Sequence, residues 1–110
     1  MDVGIAEVIH IYDALGPEEF ERQIGEVMAT HPTNPLFLLF SGEKSVEGKS
    51  WCGDCVRAEP IILTALEEYT PDAVLVIFNV NREEYRKQDF PYRVNPKIQL
   101  RCVPTLHRCP

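Results

Sequence analysis

A tryptophan set directly against a Cys-x-x-Cys, in the segment Ser50-Trp51-Cys52-Gly53-Asp54-Cys55-Val56, limits the fold more tightly than any other stretch of the chain. The apolar segment Pro35 to Phe40 runs before it. After it, Cys55, Ala58, Ile62, Leu66 and Tyr69 recur at helical spacing. The order is therefore strand, loop, two cysteines, helix. A cysteine at the first turn of a helix faces backbone N–H groups with no intrahelical partner and the positive end of the macrodipole. Both favour thiolate over thiol. Cys52 is thus expected to be the exposed, ionised nucleophile. Cys55, three residues on along the apolar stripe, is expected to be more buried, less ionised and within bonding reach of Cys52.

Neighbouring charges modify this expectation. Asp54 places a carboxylate between the cysteines and opposes ionisation, while Lys49 and Arg57 pull the other way. The helix end acts at contact and the longer side chains through solvent, so a net lowering is expected, with Asp54 modulating it. Trp51 is expected to cap the pair and shield it from bulk water.

With 110 residues the chain is one domain of residues 1–110, long enough for a modest core. A net charge of −6 argues against nucleic acid and against an anionic membrane as partners. No apolar run approaches membrane-spanning length. Met1 to Ala6 carries an acid where a signal peptide would be positive, so the cytoplasm is the expected compartment. Four cysteines with only one close pair then read as a working dithiol in a reducing compartment rather than a disulfide scaffold.

Ala6 to Tyr12, rich in β-branched and aromatic residues, reads as a first strand. Gly16-Pro17 opens a helix with Glu18 and Glu19 in its first turn and Phe20, Ile24 and Val27 as its buried stripe. Leu36 to Phe40 and Ala73 to Val80 are continuous apolar runs, as suits strands covered on both faces. The resulting βαβ pattern makes the fold class α/β with a largely parallel sheet. Pro60 falls inside the second helix, but the apolar spacing continues to Tyr69, which favours a kinked, continuous helix. Arg82 to Gln88 holds a short helix in an otherwise irregular stretch, and Lys97 to Cys102 extends toward Val103-Pro104-Thr105.

Other chemistries fit less well. Gly42 to Ser50 looks like a phosphate-binding loop, but five residues separate Gly42 from Gly48 where that loop has four. It is better taken as a flexible, charged loop that flanks the site and restricts access. A zinc centre needs two ligands beyond Cys52 and Cys55. Cys102, His107 and Cys109 are suitable in type, yet none repeats the Cys-x-x-Cys spacing. His10 and His31 suggest no catalytic role, and Glu43, Glu47, Glu67 and Glu68 read as solvated faces. For Cys102 and Cys109 a buried or idle thiol outweighs a redox role.

Taken together, Ser50 to Val56, the following Ala58-Glu59-Pro60 and Val103-Pro104-Thr105 resemble the thioredoxin fold. Within it they are most similar to the thioredoxin-domain-containing protein seventeen group, from about Ala6 to Thr105. Lys49-Ser50 before the Trp, Asp54 in place of proline and the long loop Ser41 to Lys49 carry the narrower likeness. The resemblance implies a mixed sheet with flanking helices and a cis Pro104. It implies Cys52 as attacking and Cys55 as resolving thiol, with Trp51, Val103 and Pro104 against the substrate, the backbone of Val103 pairing with it. It implies a protein-disulfide reductase with no bound cofactor, acting on disulfides of proteins or small molecules. Its electrons would come from NADPH through thioredoxin reductase, and peroxidase activity would accompany the reductase. Three departures stand out. Gly53 replaces the group's proline, neither Leu38 nor Leu39 supplies the buried acid of thioredoxin, and the segment before Pro104 is several residues longer. The fold's C-terminal strand and helix are expected to be missing beyond the proline, which exposes a sheet edge and invites dimerisation. The alternative reading is a redox-silent binding module that captures partners through that edge.

Overall fold

In the computed structural model, which describes residues 4–109, the two continuous apolar runs become neighbouring strands. These are β2 (Leu36–Gly42) and β3 (Val74–Val80), paired in parallel from Leu36 opposite Val74 to Gly42 opposite Val80. All seven residues of each are buried. Strands with both faces covered have no need of alternation, and their sequences show none. β1 (Glu7–Ile11) adds in parallel to β3, and β4 (Thr105–Arg108) adds antiparallel to β2. The sheet is therefore mixed, in the order β1-β3-β2-β4. The N-terminal reading of Met1 to Val3, and Pro110, lie outside the described residues.

One face of the sheet carries α1 (Pro17–Thr30), which begins at Pro17 with Glu18 and Glu19 in its first turn. Its Phe20 and Ile24 pack on the side chains of Leu36, Leu38, Phe40, Val74, Val76 and Phe78. Aromatic rings dominate here. Phe40 stacks on Phe78 at 4.7 Å, and Tyr92 meets both edge-on at 5.2 and 5.4 Å. The other face carries α2 (Gly53–Tyr69), whose Ile62, Leu63 and Leu66 cover Phe37, Leu39, Leu75 and Ile77. α2 runs without interruption through Pro60, as its apolar spacing predicts. The buried stripe stops at Leu66, however. Tyr69 is the last residue of the helix and is 78% exposed.

The short helix expected from Arg82 is present, and three later segments differ from the sequence reading. Asn81 caps a single-turn α3 (Arg82–Tyr85) with its side-chain oxygen on the N–H of Glu84 at 3.1 Å. A second turn, α4 (Pro91–Val94), follows where irregular chain was expected, opened by Pro91 at the position proline tolerates best. Lys97 to Cys102 is not extended. Asn95 accepts the N–H groups of Lys97 (2.9 Å) and Ile98 (3.3 Å) and folds the segment into turns, with Gln99 at φ 46°. Beyond Pro104, where the fold's C-terminal strand was expected to be missing and a sheet edge exposed, Thr105–Arg108 instead forms β4 and covers the edge of β2.

Tyr92 ties α4 to the chain between β1 and α1. Its hydroxyl accepts the N–H of Leu15 and donates to the carbonyl of Asp13, each at 3.1 Å. Burial raises its pKa to about 12. Tyr92→Phe should destabilise the protein by about 1–3 kcal/mol, because it strips partners from two backbone groups while keeping the ring. Urea unfolding of the two proteins measures this as a lower midpoint with an unchanged slope.

Candidate active site

The site lies where the parallel strands end, as is general for open α/β sheets. β2 leaves the sheet at Gly42, and the next residues fold back as a closed hairpin. Lys44 bridges Ser50, the N–H of Ser45 reaches the carbonyl of Lys49 at 2.9 Å, and Gly48 turns the chain at φ 84°. Lys44 also pairs with Glu59 of α2 at 2.6 Å. The loop expected to be flexible is thus pinned at its base and on its flank. Glu43, expected to be a solvated face, is half-buried and accepts the side-chain N–H of Asn81 at 2.8 Å.

Ser50 then sets the entry into α2. Its hydroxyl donates to the carbonyl of Gly42 at 2.8 Å and accepts the N–H of Cys52 at 3.1 Å. The approach is close enough that a Cβ on Gly42 would lie 2.7 Å from Ser50 Oγ and 2.9 Å from Cys52 Cβ. Glycine is required there for room.

Cys52 is the residue that caps α2, and its sulfur accepts the N–H of Cys55 at 3.2 Å. This is the interaction expected of a sulfur at a helix start. On the opposite side its Sγ stands 3.7 Å from the carbonyl oxygen of Val103, and the Val103–Pro104 bond is cis, as the resemblance implied. The expected exposure of Cys52 needs correction, since the residue is only 9% exposed. The buried Ser50 and Val103 and the half-buried Trp51 and Pro104 leave it a narrow opening. Proximity of Val103 to Cys52 depends on pairing across 51 positions of sequence, which local spacing does not report.

Cys55 is fully buried beneath Cys52. Burial pushes its thiol up to about 11, and the neighbouring Cys52 adds to the rise. The N–H of Gly42, at 3.3 Å from the sulfur, opposes it. Both cysteines are free thiols.

Trp51 lies over the loop junction rather than in solvent. Its indole N–H donates to the carbonyl of Val80 at 2.8 Å, and its ring meets Tyr85 at 5.6 Å. Tyr85 is held in turn by Arg93, whose guanidinium lies 5.0 Å from its ring centre and donates to its carbonyl at 2.7 Å. Asp54 pairs with Arg57 one turn on, both side chains being well exposed. Tyr85 escapes the sequence reading, because it sits in an unremarkable charged stretch, and Ser41 and Gly42 enter it only as the start of the long loop. Cys102 is exposed in the loop before Val103, and Cys109 is half-buried next to β2. Among the described residues no group of three or more His, Cys, Asp or Glu is placed to hold a metal ion.

Comparison with known proteins adds to this geometry. Residues 13–110 match the family described as "Thioredoxin domain-containing protein 17-like, thioredoxin domain". The chain is 41% identical over 95 residues to mouse thioredoxin domain-containing protein 17, covering 84% of this chain and 71% of that one. It is 40% identical over 96 residues to the thioredoxin-like protein Clot of Arabidopsis thaliana, covering 84% and 72%. A Leishmania infantum protein named acireductone dioxygenase shares 36% identity over 117 aligned positions, covering 94% of this chain and 34% of that protein.

Two tests follow from the packing around the sulfurs. In the reduced protein Cys55 is held neutral above its ordinary value of about 9, toward about 11. The unfolded chain loses that proton first, so stability is full below about pH 9 and falls as pH rises to about 11. Cys55→Ala should flatten this part of the decline in urea midpoints measured from pH 8 to 11. Gly42→Ala should cost about 1–3 kcal/mol by forcing Ser50 and Cys52 aside, and should slow alkylation of Cys52 measured by mass spectrometry.

Proposed function

The chain belongs to the thioredoxin domain-containing protein 17-like family, and from that premise we propose that it is a thiol-disulfide oxidoreductase reducing protein and small-molecule disulfides through Cys52 and Cys55. The observation that carries the reading is the sulfur of Cys52. It receives a backbone N–H at 3.2 Å at the start of α2, with a second thiol buried directly behind it.

Cys52 attacks one sulfur of a substrate disulfide. A new S–S bond forms between Cys52 and that sulfur, and the substrate's other sulfur leaves with the electron pair and takes a proton. Cys55 then attacks Cys52, displaces the bound substrate sulfur and closes the Cys52–Cys55 disulfide. Two electrons have passed from the protein dithiol to the substrate. The helix N–H favours negative charge on Cys52 at each stage where it carries charge. Val103 and Pro104 form the wall opposite Trp51, and the backbone of Val103 stands beside the sulfur where the mixed disulfide is made. Asp54 and Arg57, paired on the outer surface of α2, give the substrate a locally neutral approach.

Return to the dithiol requires two electrons from outside the chain. Thioredoxin reductase, drawing on NADPH, is the proposed source, with no cofactor bound to this protein and a cytoplasmic, reducing setting. The same dithiol serves hydroperoxides: Cys52 attacks one peroxide oxygen, the other leaves as the alcohol with a proton, and Cys55 displaces water from the resulting sulfenic acid to close the disulfide.

Reduction of an aromatic disulfide, coupled to NADPH oxidation by thioredoxin reductase, measures the activity. Cys52→Ser should lower the rate by about two orders of magnitude or more, and Cys55→Ser should accumulate a mixed disulfide at Cys52 visible by mass. Equal rates for wild type and Cys52→Ser would overturn the reading and leave a redox-silent binding module.

A further inference from the structure

Ser41 carries the one buried side-chain N or O atom, among the described residues, that has no hydrogen-bond partner. The residue is 2% exposed, and an unpaired buried hydroxyl costs on the order of 1–3 kcal/mol. Its position on β2 says what the hydroxyl faces. Side chains alternate along a strand, and Phe37 and Leu39 point to the α2 face, so Ser41 points there too. It arrives at the first turn of α2, where the N–H of the next residue, Gly42, meets the Cys55 sulfur at 3.3 Å. In the resting dithiol that hydroxyl makes no hydrogen bond.

We propose that Ser41 is a positioning residue for the resolving step, its hydroxyl donating to the Cys55 sulfur as that sulfur becomes a thiolate. The inference rests on the disulfide-reductase reading and deepens it. A neutral S–H offers a hydroxyl donor little, whereas a buried thiolate accepts several hydrogen bonds and is poorly stabilised without them. The N–H of Gly42 at 3.3 Å already supplies one donor. Ser41 supplies the second from the adjacent residue.

No charged group does this work. Leu39, the preceding residue of β2 on the same face, is fully buried and apolar. Val103, on the loop opposite, is apolar as well. Cys52 is the one titratable group that acts on Cys55. Within α2, Asp54 and Arg57 are exposed and paired with each other, and Glu59 is paired with Lys44 of the loop. In the step itself Cys55 loses its proton and attacks Cys52, forming one S–S bond. The bond from Cys52 to the substrate breaks, and the departing sulfur keeps the electron pair. Net, the proton lost by Cys55 is gained by the released thiol. Ser41 keeps its own proton throughout.

A disulfide of two thionitrobenzoates separates the steps, in protein whose Cys102 and Cys109 are replaced by Ser. One chromophore is released when Cys52 attacks, and the second when Cys55 resolves. Followed by stopped flow from pH 5 to 10, Ser41→Ala should leave the first phase unchanged. It should slow the second about tenfold at pH 7 and move that phase's pH profile upward by about one unit. Ser41→Thr and Ser41→Val provide a pair of equal shape. Thr should keep the wild-type profile and Val should reproduce the shift. Coincident second-phase profiles for Thr and Val, or for wild type and Ala, overturn the role of Ser41 while the disulfide-reductase reading stands. A wild-type protein that gives no first phase overturns that reading and this inference together.

Discussion

Everything in this structure depends on β2 burying both of its faces. Seven residues from Leu36 to Gly42 have no solvent side, so α1 must cover one face and α2 the other, and β3 and β4 must occupy the two edges. At about 25 cal/mol per Å², side chains such as Phe40 and Leu39 each contribute on the order of 2 kcal/mol when removed from water. Such a strand is a fixed reference. Gly42 at its C-terminal end inherits that rigidity and passes it on: its N–H meets the Cys55 sulfur at 3.3 Å, and its carbonyl holds Ser50, which takes the N–H of Cys52.

The chemistry divides between the two cysteines according to what surrounds each. Cys52 sits at a helix end, under a narrow opening, with a backbone donor on its sulfur. Cys55 sits in the interior, where its charge is disfavoured until it is needed. A pair in which both sulfurs were equally exposed would offer two nucleophiles and no order of events. Here the order follows from burial.

How much of this could be read from the chain before folding differs by residue. The strands Leu36–Gly42 and Val74–Val80 are legible because a run of apolar residues in a chain this short has nowhere to go but the centre of a sheet. α1 and α2 are legible from period and from Pro17. The short helix at Pro91 and the turns at Asn95 are not, because single turns leave no periodic trace and arise from side-chain caps. The near burial of Cys52 was misjudged for a different reason. Its cover comes from Val103, and helix-end electrostatics says nothing about which distant segment lies on top. Ser41 reads in sequence only as the start of the loop to Lys49, because a small polar residue after an apolar run looks like the strand's end, whereas β2 runs on to Gly42. Its lack of a partner exists only in three dimensions.

The distance in sequence between the two walls of the site has a bearing on how the protein comes into being. Cys52 and the helix it caps are complete once α2 has formed, but Val103 is 51 positions further along and β4, which lines the edge of β2, comes later still. Contacts this remote form late, after their loop entropy has been met. Until they do, a growing chain carries its reactive sulfur uncovered and the edge of its central strand unpaired, at the stage when aggregation is most readily begun. Pairing of β4 with β2 thus does two things at once: it covers the edge of the central strand and anchors the segment that carries Val103 over the sulfur.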